Sequence, residues 1–303
     1  MRPAVRFTLA WAAATFTTLF YSEFLFWNEG PVAALAAGDG AAIALYLAFY
    51  ALGALALAAA LSRAGGIGVA GWPAWILAGA IYGWVIEAAV VPASYEDPPG
   101  SFFWTALGWH VPVDILWGVW ISPVLLARAR LLVAALACAG TGIVWGGWTT
   151  WIWVDTVPTL AGFTRHTLLA APFGILGLWG MARLGDAFAL PSRWLRGVIL
   201  VLIAVLFALT GSAMPFWALA LAALMAVTWI AIPPRAYEGR TDPVHLSPAR
   251  YALPFLVPAF AVATYAACLS TGWSLPLGTT VKALTVVAVA AWLAALLRGF
   301  TYR

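Results

Sequence analysis

The stretch 82–120, YGWVIEAAVVPASYEDPPGSFFWTALGWHVPVDILWGVW, indicates the architecture of the whole chain. One apolar run ends near Pro92, a short acidic segment follows, and a second apolar run begins near Phe102. This pattern is typical of two membrane-crossing helices joined by a short polar loop. The stretch carries the densest set of ionisable groups in a chain of which only 9% is charged: Glu87, Glu96, Asp97, His110 and Asp114.

Composition places the whole chain among integral membrane proteins. Of its 303 residues 64% are hydrophobic, and the mean hydropathy is +0.96, whereas soluble domains are about half apolar and one quarter charged. We therefore expect an all-α transmembrane helix bundle that fills residues 1–303 as a single membrane domain, with no soluble domain. The net charge of +4 fits membrane orientation. Because no nucleotide-binding or zinc-finger motif occurs, no nucleic-acid partner is expected.

Ten apolar segments approach the length of about 20 residues that a membrane-crossing helix needs. The first continues beyond the length of a signal peptide, so we interpret it as a retained span. The seventh and eighth could form a re-entrant hairpin, but Gly211, Ser212 and Pro215 favour a tight turn between two full spans. The ten segments are 8–27, 41–61, 72–92, 102–127, 131–153, 167–182, 196–212, 215–232, 251–271 and 279–298.

The distribution of Lys and Arg predicts the orientation. Cytoplasmic loops are enriched in these residues. Only Arg165 and Lys282 fall on one side of the ten spans. We therefore expect both termini on the cytoplasmic side of a cell inner or plasma membrane. The other side carries 13 of the 15 cations, namely Arg2, Arg6, Arg63, Arg128, Arg130, Arg183, Arg193, Arg196, Arg235, Arg240, Arg250, Arg298 and Arg303.

Glu87 lies on a face of small residues in the third span. Gly79, Gly83 and Glu87 are four residues apart, so they share one side of a helix. Small residues at this spacing allow a neighbouring helix to approach closely. We expect Glu87 to point into a helix contact or a cavity, either as an acid or base of a functional site or as a structural carboxylate that locks two helices together.

His110 and Asp114 form the stronger candidate. They are four residues apart and share a helix face, which Trp117 continues. An Asp near the bilayer centre costs about 2.5–3.5 kcal/mol unless it is paired or hydrated, and an Asp can orient a catalytic imidazole. Between them, Pro112 is expected to kink the helix and to free a carbonyl, which favours a wet pocket. The alternative is a structural pair that pins the kink.

Other polar and aromatic side chains extend the candidate site. Glu23, near the outer end of the first span, is either an accessory carboxylate or reaches the membrane interface. Deep indoles could line a pocket, and the pair at 165–166 could bind an anionic headgroup or anchor the interface. Three histidines are too few for a multi-histidine iron site. A metal held by His110, Asp114, Glu87 and Glu23 is the less favoured alternative, and no metal and no other cofactor is expected. The expected substrate-binding residues are Trp117, Trp120, Trp145, Tyr82, Arg165 and His166.

Three functions fit these residues. The first is a membrane-embedded enzyme that acts on a lipid or isoprenoid-type substrate by acid–base chemistry in an outward-opening polar pocket, with His110, Asp114, Glu87 and Glu23 as catalytic residues. The second is a proton-coupled transporter that uses the same residues as a relay, although no inverted repeat is visible. The third is a non-catalytic assembly subunit. The expected partner is a membrane lipid or a hydrophobic small molecule, and the oligomeric state is left open.

Overall fold

The computed structural model describes residues 2–67, 70–189, 192–235 and 243–301, and within these ranges every regular element is a helix. Arg240 and Arg303, two of the cations used to predict the orientation, lie outside the described residues. The α-helices are α1 Pro3–Leu19, α2 Glu29–Ala37, α3 Gly40–Arg63, α4 Trp72–Trp84, α5 Ser122–Arg128, α6 Leu131–Trp148, α7 Leu160–Leu184, α8 Arg193–Thr210, α9 Pro215–Ala231, α10 Pro248–Ala252, α11 Leu256–Thr271 and α12 Leu277–Thr301.

Shorter helical segments continue or join these rods. Three are π-helical: π1 Phe20–Leu25, π2 Val85–Val90 and π3 Trp104–Ile121. The remaining segments are turns of 3-10 helix at Pro92–Tyr95, Gly100–Phe102, Thr149–Val154, Gly185–Ala187, Gly211–Ala213 and Leu253–Phe255. Since π1 follows α1 directly and π2 follows α4 directly, each pair forms one continuous rod.

The expected all-helical fold is confirmed, and eight helices are long and apolar enough to cross a membrane, which is compatible with a multi-pass membrane protein. Two of the ten expected spans are not among them. One is α9, which has 17 residues, slightly fewer than the usual ~20. The other is α1 with π1. The count of ten and the orientation of the termini stay predictions. The eight helices are Gly40–Arg63, Trp72–Val90, Gly100–Arg128, Leu131–Val154, Leu160–Ala187, Trp194–Ala213, Pro248–Thr271 and Leu277–Thr301.

The rod formed by α1 and π1 lies inside the bundle. α1 packs on α3, α7 and π3, and every residue of π1 is buried. Glycines make this approach possible, because a Cβ on Gly177 or Gly180 of α7 would overlap Thr17 or Ala13 of α1. A helix surrounded by protein needs less apolar surface than a helix that faces lipid. Such a position accommodates the polar residues of this rod, among them Thr15, Thr17 and Glu23, which are buried.

The remaining long helices pack around this centre. α4 packs on π3 and α12, π2 packs on α8, and α6 packs along α11. Gly142 and Gly146 form the close-packing face of α6 that the sequence predicts, because a Cβ on either would overlap a carbonyl of α11. These contacts bring π1, π2 and π3 together, and the three segments carry the candidate site.

The connection between the first two spans contains α2, a helix that the sequence does not predict. Gly38 ends it in the left-handed conformation, with φ of 69°, a conformation that glycine adopts without steric cost. Asp39 then caps α3 by accepting hydrogen bonds from the backbone N–H groups of Ala41 (3.1 Å) and Ala42 (3.0 Å). Local capping explains this boundary between α2 and α3, which lies in a connection for which the sequence predicts no helix.

Candidate functional site

The imidazole of His110 lies between two carboxylates. Its Nε2 atom is 2.8 Å from Oε1 of Glu87, and its Nδ1 atom is 2.6 Å from Oδ2 of Asp114. An ionised carboxylate only accepts hydrogen bonds, and a neutral imidazole carries a single N–H. Two hydrogen bonds therefore require two protons among the three groups, so either the imidazole is charged or one carboxyl group is protonated. These three residues, called the triad below, can share a proton between nitrogen and oxygen.

The triad members differ in exposure. The side chain of Glu87 is 12% exposed, that of His110 is 4% exposed, and that of Asp114 is fully buried. Neither His110 nor Asp114 reaches the surface of the bundle, and access of external water to this pair stays a prediction. Within the triad, Glu87 is the member with the most exposed side chain.

Ser22 ties Asp114 to the first helical rod. Its hydroxyl donates a hydrogen bond to Oδ2 of Asp114 and lies 3.2 Å from Nδ1 of His110. The other carboxyl oxygen of Asp114, Oδ1, is buried without a hydrogen-bond partner among the described residues. Sequence reasoning selected the neighbouring Glu23 and missed Ser22. The available signal was that three polar residues, 21–23, interrupt an apolar span.

Glu23 and Tyr50 form a second buried pair beside the triad. The Tyr50 hydroxyl donates to Oε1 of Glu23 at 2.6 Å, and Glu23 is 7% exposed, so protein encloses its side chain. The ring of Tyr82 packs edge-on against the imidazole of His110 at a centroid distance of 5.6 Å. Oε2 of Glu23, the Tyr82 hydroxyl and Oδ1 of Asp114 are buried without partners among the described residues. Three such atoms favour a site that takes ordered water or a polar group of a ligand.

His110 and the three carboxyl groups around it, those of Glu23, Glu87 and Asp114, all lie on π-helical segments. π-helices are rare, occur mostly as single turns within α-helices, and are frequent at functional sites. Three of them meeting at one cluster strengthens the functional interpretation over a purely structural one. Ser22 and Glu23 lie on π1, Glu87 on π2, and His110 and Asp114 on π3.

The predicted kink at Pro112 takes a different form. The sequence predicts a break in an α-helix at the carbonyl of Gly108. Instead, Pro112 lies within the π-helical segment π3, and near its start the Gly108 N–H donates to the Phe103 carbonyl, five residues earlier, at 2.9 Å. A proline cannot supply the N–H that an α-helix requires. The π-helical register changes which carbonyls accept hydrogen bonds along this segment, and Pro112 itself donates none.

Trp145 and His166 bind the backbone of π1. Nε1 of Trp145 donates to the Phe24 carbonyl at 3.2 Å, and Nε2 of His166 donates to the same oxygen at 3.0 Å. An unsatisfied buried carbonyl costs about 1–3 kcal/mol. Both residues were expected to bind substrate, and the structure places them where they position the segment that carries Ser22 and Glu23.

The Phe26 carbonyl, just beyond π1, also has two indole donors. Nε1 of Trp151 lies 2.7 Å from this oxygen, and Nε1 of Trp148 lies 3.2 Å from it. Four side-chain N–H groups thus satisfy two carbonyls at the end of π1, which explains part of the unusual tryptophan content.

Trp117 and Trp120 fasten π3 to its neighbours. Nε1 of Trp117 donates to the hydroxyl of Thr141 on α6 at 2.9 Å. Trp120 stacks on Trp75 of α4 at a centroid distance of 5.1 Å. A substrate-binding role for these two indoles stays a prediction, since the contacts observed here join helices.

Arg165 lies beside a separate cavity. α7 begins at Leu160, seven residues before the expected start, because the polar pair at 165–166 was interpreted as a flank of the span. Nη2 of Arg165 donates to the Ala36 carbonyl of α2 at 3.0 Å. A cavity of about 220 Å³ between α2 and α7 is lined by Trp27, Arg165 and His166, and not by the triad.

Comparison with known proteins adds no relative. No family model, no curated protein and no solved structure matches the chain. In the part of the chain that the structure describes, no group of three or more His, Cys, Asp or Glu side chains is arranged to hold a metal ion. The function is therefore inferred from the geometry of the triad itself.

Proposed function

We propose that this chain is a membrane-embedded enzyme that transfers protons to or from a lipid or isoprenoid-type substrate at the triad. One observation carries the proposal: an imidazole is held between two carboxylates of unequal exposure. A positioned acid or base accelerates proton transfer by typically ~10²–10⁴-fold. An enzyme that adds a proton to a substrate and removes another needs two acid–base groups in different environments.

Each group has a distinct role in this mechanism. Glu87, the most exposed triad member, gives a proton to the substrate or takes one from it. His110 returns or receives that proton at Nε2, and Asp114 stabilises the resulting imidazolium through Nδ1. Ser22 orients Asp114, because its hydroxyl donates to Oδ2. Glu23 is an accessory carboxyl group beside the triad.

The membrane setting supports the class of substrate. Two of the eight helices that are long and apolar enough to cross a membrane carry the triad, so a substrate that reaches Glu87 through the bundle must itself partition into a bilayer. The proposal places the protein in a cell inner or plasma membrane. The predicted orientation in that membrane rests on the enrichment of Lys and Arg in cytoplasmic loops.

A proton-coupled transporter is the second candidate, and one observation favours it. Hydrogen bonds run from Glu87 through His110 to Asp114 and Ser22 without a gap. They connect a partly exposed carboxyl group with a fully buried one. Chains of acidic residues and histidines serve as proton relays in pumps and transporters.

Lipid and pigment profiling of a deletion strain tests the enzyme. We expect one lipid or pigment species to accumulate in the deletion strain and to disappear when the wild-type gene is restored. Glu87→Gln should reach the same membrane level as wild type and fail to restore the profile. Glu29→Gln, which neutralises an exposed carboxylate in the first turn of α2, is the matched control and should restore it.

Proteoliposomes distinguish the two candidates. An unchanged lipid profile together with a proton flux that Glu87→Gln abolishes would support the transporter and overturn the enzyme. If Glu87→Gln and His110→Ala both restore every phenotype of the deletion strain at normal protein level, the polar residues only pack, and the chain is an assembly subunit.

A further inference from the structure

An apolar groove separates α8 from α9. The two helices are consecutive in the chain, joined by the turn Gly211–Ala213, yet among the described residues they hardly touch each other. The space between them is a cavity of about 540 Å³, within the range of about 300–1,000 Å³ that is usual for small-ligand sites. Its volume is therefore sufficient for a long aliphatic group.

The lining of the groove is almost wholly hydrocarbon. Ala56 of α3 and Val85 of π2 form its floor. Ile203 and Phe207 line the side from α8, and Met225 is among the residues that line the side from α9. Small and flexible side chains such as these suit an acyl chain better than a polar molecule, because no charged group lies along the wall.

One end of the groove is cationic. Arg196 precedes the lining residue Leu200 by one helical turn, so both lie on the same face of α8. Arg196 is half-buried, and its Nε atom is buried without a hydrogen-bond partner among the described residues. At the same end, the guanidinium carbon of Arg63 lies 5.7 Å above the ring of Trp229, which also lines the groove.

We propose that this groove binds an anionic phospholipid, with one acyl chain between α8 and α9 and the phosphate at Arg196 and Arg63. The planar guanidinium group matches phosphate oxygens in geometry and charge. A lipid without a phosphate group would fill the groove but would leave the buried Nε donor of Arg196 without an anionic partner. The site does not depend on the function of the triad, which lies on the other side of the rod formed by α4 and π2.

Affinity for two lipids with identical chains tests the proposal. Purified protein is titrated with dioleoylphosphatidylglycerol and with dioleoylphosphatidylcholine, and bound lipid is counted by native mass spectrometry. We expect wild type to bind the anionic lipid more tightly. Arg196→Gln should lower that affinity about fivefold, which corresponds to the ~1 kcal/mol that one Lys or Arg gains near an anionic leaflet. It should lower the affinity for the zwitterionic lipid by less, because the choline cation of that lipid offsets the charge of its phosphate.

Two further variants separate headgroup from chain. Ala204→Phe fills the groove at a lining position and should weaken both lipids. Arg130→Gln removes an exposed cation at the start of α6 and should weaken neither. Arg196→Lys keeps the charge and should retain a preference for the anionic lipid, which guards against a folding defect in Arg196→Gln.

Three outcomes would overturn the proposal. If wild type binds the two lipids with equal affinity, Arg196 and Arg63 do not select an anionic headgroup. An equal loss in Arg130→Gln and Arg196→Gln would indicate diffuse surface attraction. Competition by glycerol phosphate at the same concentration as the lipid would show that a free phosphate suffices and that the groove contributes nothing.

Discussion

Nε2 of His110 lies 2.8 Å from Oε1 of Glu87, although the two residues are 23 positions apart and lie on different helical rods. The contact depends on how closely these rods approach. A Cβ on Gly83 would overlap the backbone carbonyl of Ala106, and a Cβ on Gly79 would be in van der Waals contact with Ile115 at 3.4 Å. One glycine face therefore sets the distance between the carboxylate and the imidazole.

Gly83→Ala should separate the two rods. Because the added methyl group meets backbone rather than a flexible side chain, we expect a loss of about 1–3 kcal/mol in stability and a lower melting temperature in detergent. Gly140→Ala is the matched control, since a Cβ there meets nothing within 4 Å. It should be neutral or stabilise α6 by roughly 0.5–1 kcal/mol. Equal melting temperatures for the two variants would contradict the close approach.

Loss of either partner of the pair in π3 should abolish function without unfolding the protein. His110→Ala removes the proton carrier, and Asp114→Asn removes the charge that stabilises the imidazolium. The double variant should lose little more than either single one, because members of one catalytic unit are not additive. The readout is restoration of the lipid profile in a deletion strain, normalised to membrane level. If both single variants restore the lipid profile fully, His110 and Asp114 form only a structural pair.

The indole donors to the Phe26 carbonyl should compensate for each other. Trp148→Phe or Trp151→Phe alone leaves one donor on this oxygen, so each should cost little beyond its lost packing. Together they leave a carbonyl without a side-chain donor, which costs about 1–3 kcal/mol. A double-mutant cycle of thermal stability measures this coupling. As a control, the effects of Trp148→Phe and Trp153→Phe should be additive, because Trp153 donates to the Tyr265 hydroxyl instead. If the effects are additive in both cycles, Trp148 and Trp151 do not compensate for each other at the Phe26 carbonyl.

Reporter fusions test the predicted topology. A fusion after Ala64 should be cytoplasmic and a fusion after Glu96 external, because the loops differ in their Lys and Arg content. A fusion after Thr241, which lies outside the described residues, should be cytoplasmic if both α8 and α9 cross. An external reading there would show that α9, with its 17 residues, does not span the membrane as a separate helix.

Helical class and the local parts of the site were predictable because they depend on residues a few positions apart. Hydrophobic composition over hundreds of residues excludes a soluble fold. His110 and Asp114 meet because a spacing of four places them on one helix face, and Gly79, Gly83 and Glu87 share a face for the same reason. The prediction that Glu87 points into a helix contact agrees with its position against π3.

Partners that lie far apart in the chain were not predictable. Ser22 reaches Asp114 across 92 positions, and Tyr50 reaches Glu23 across 27. No pattern in a single apolar span indicates which face of another span it will meet. The tryptophans illustrate this, since Trp145 was expected in a pocket and instead caps a carbonyl 121 positions away.

The sequence by itself determined that this chain folds into apolar helices with ionisable groups on defined faces, because helix periodicity and the cost of exposing a backbone to lipid act locally. Only the tertiary structure decided that His110 lies between two carboxylates, that three of the rods adopt π-helical turns there, and that α8 stands apart from α9. These features depend on the packing of the whole bundle, where each contact is set by the simultaneous fit of several helices that no local pattern encodes.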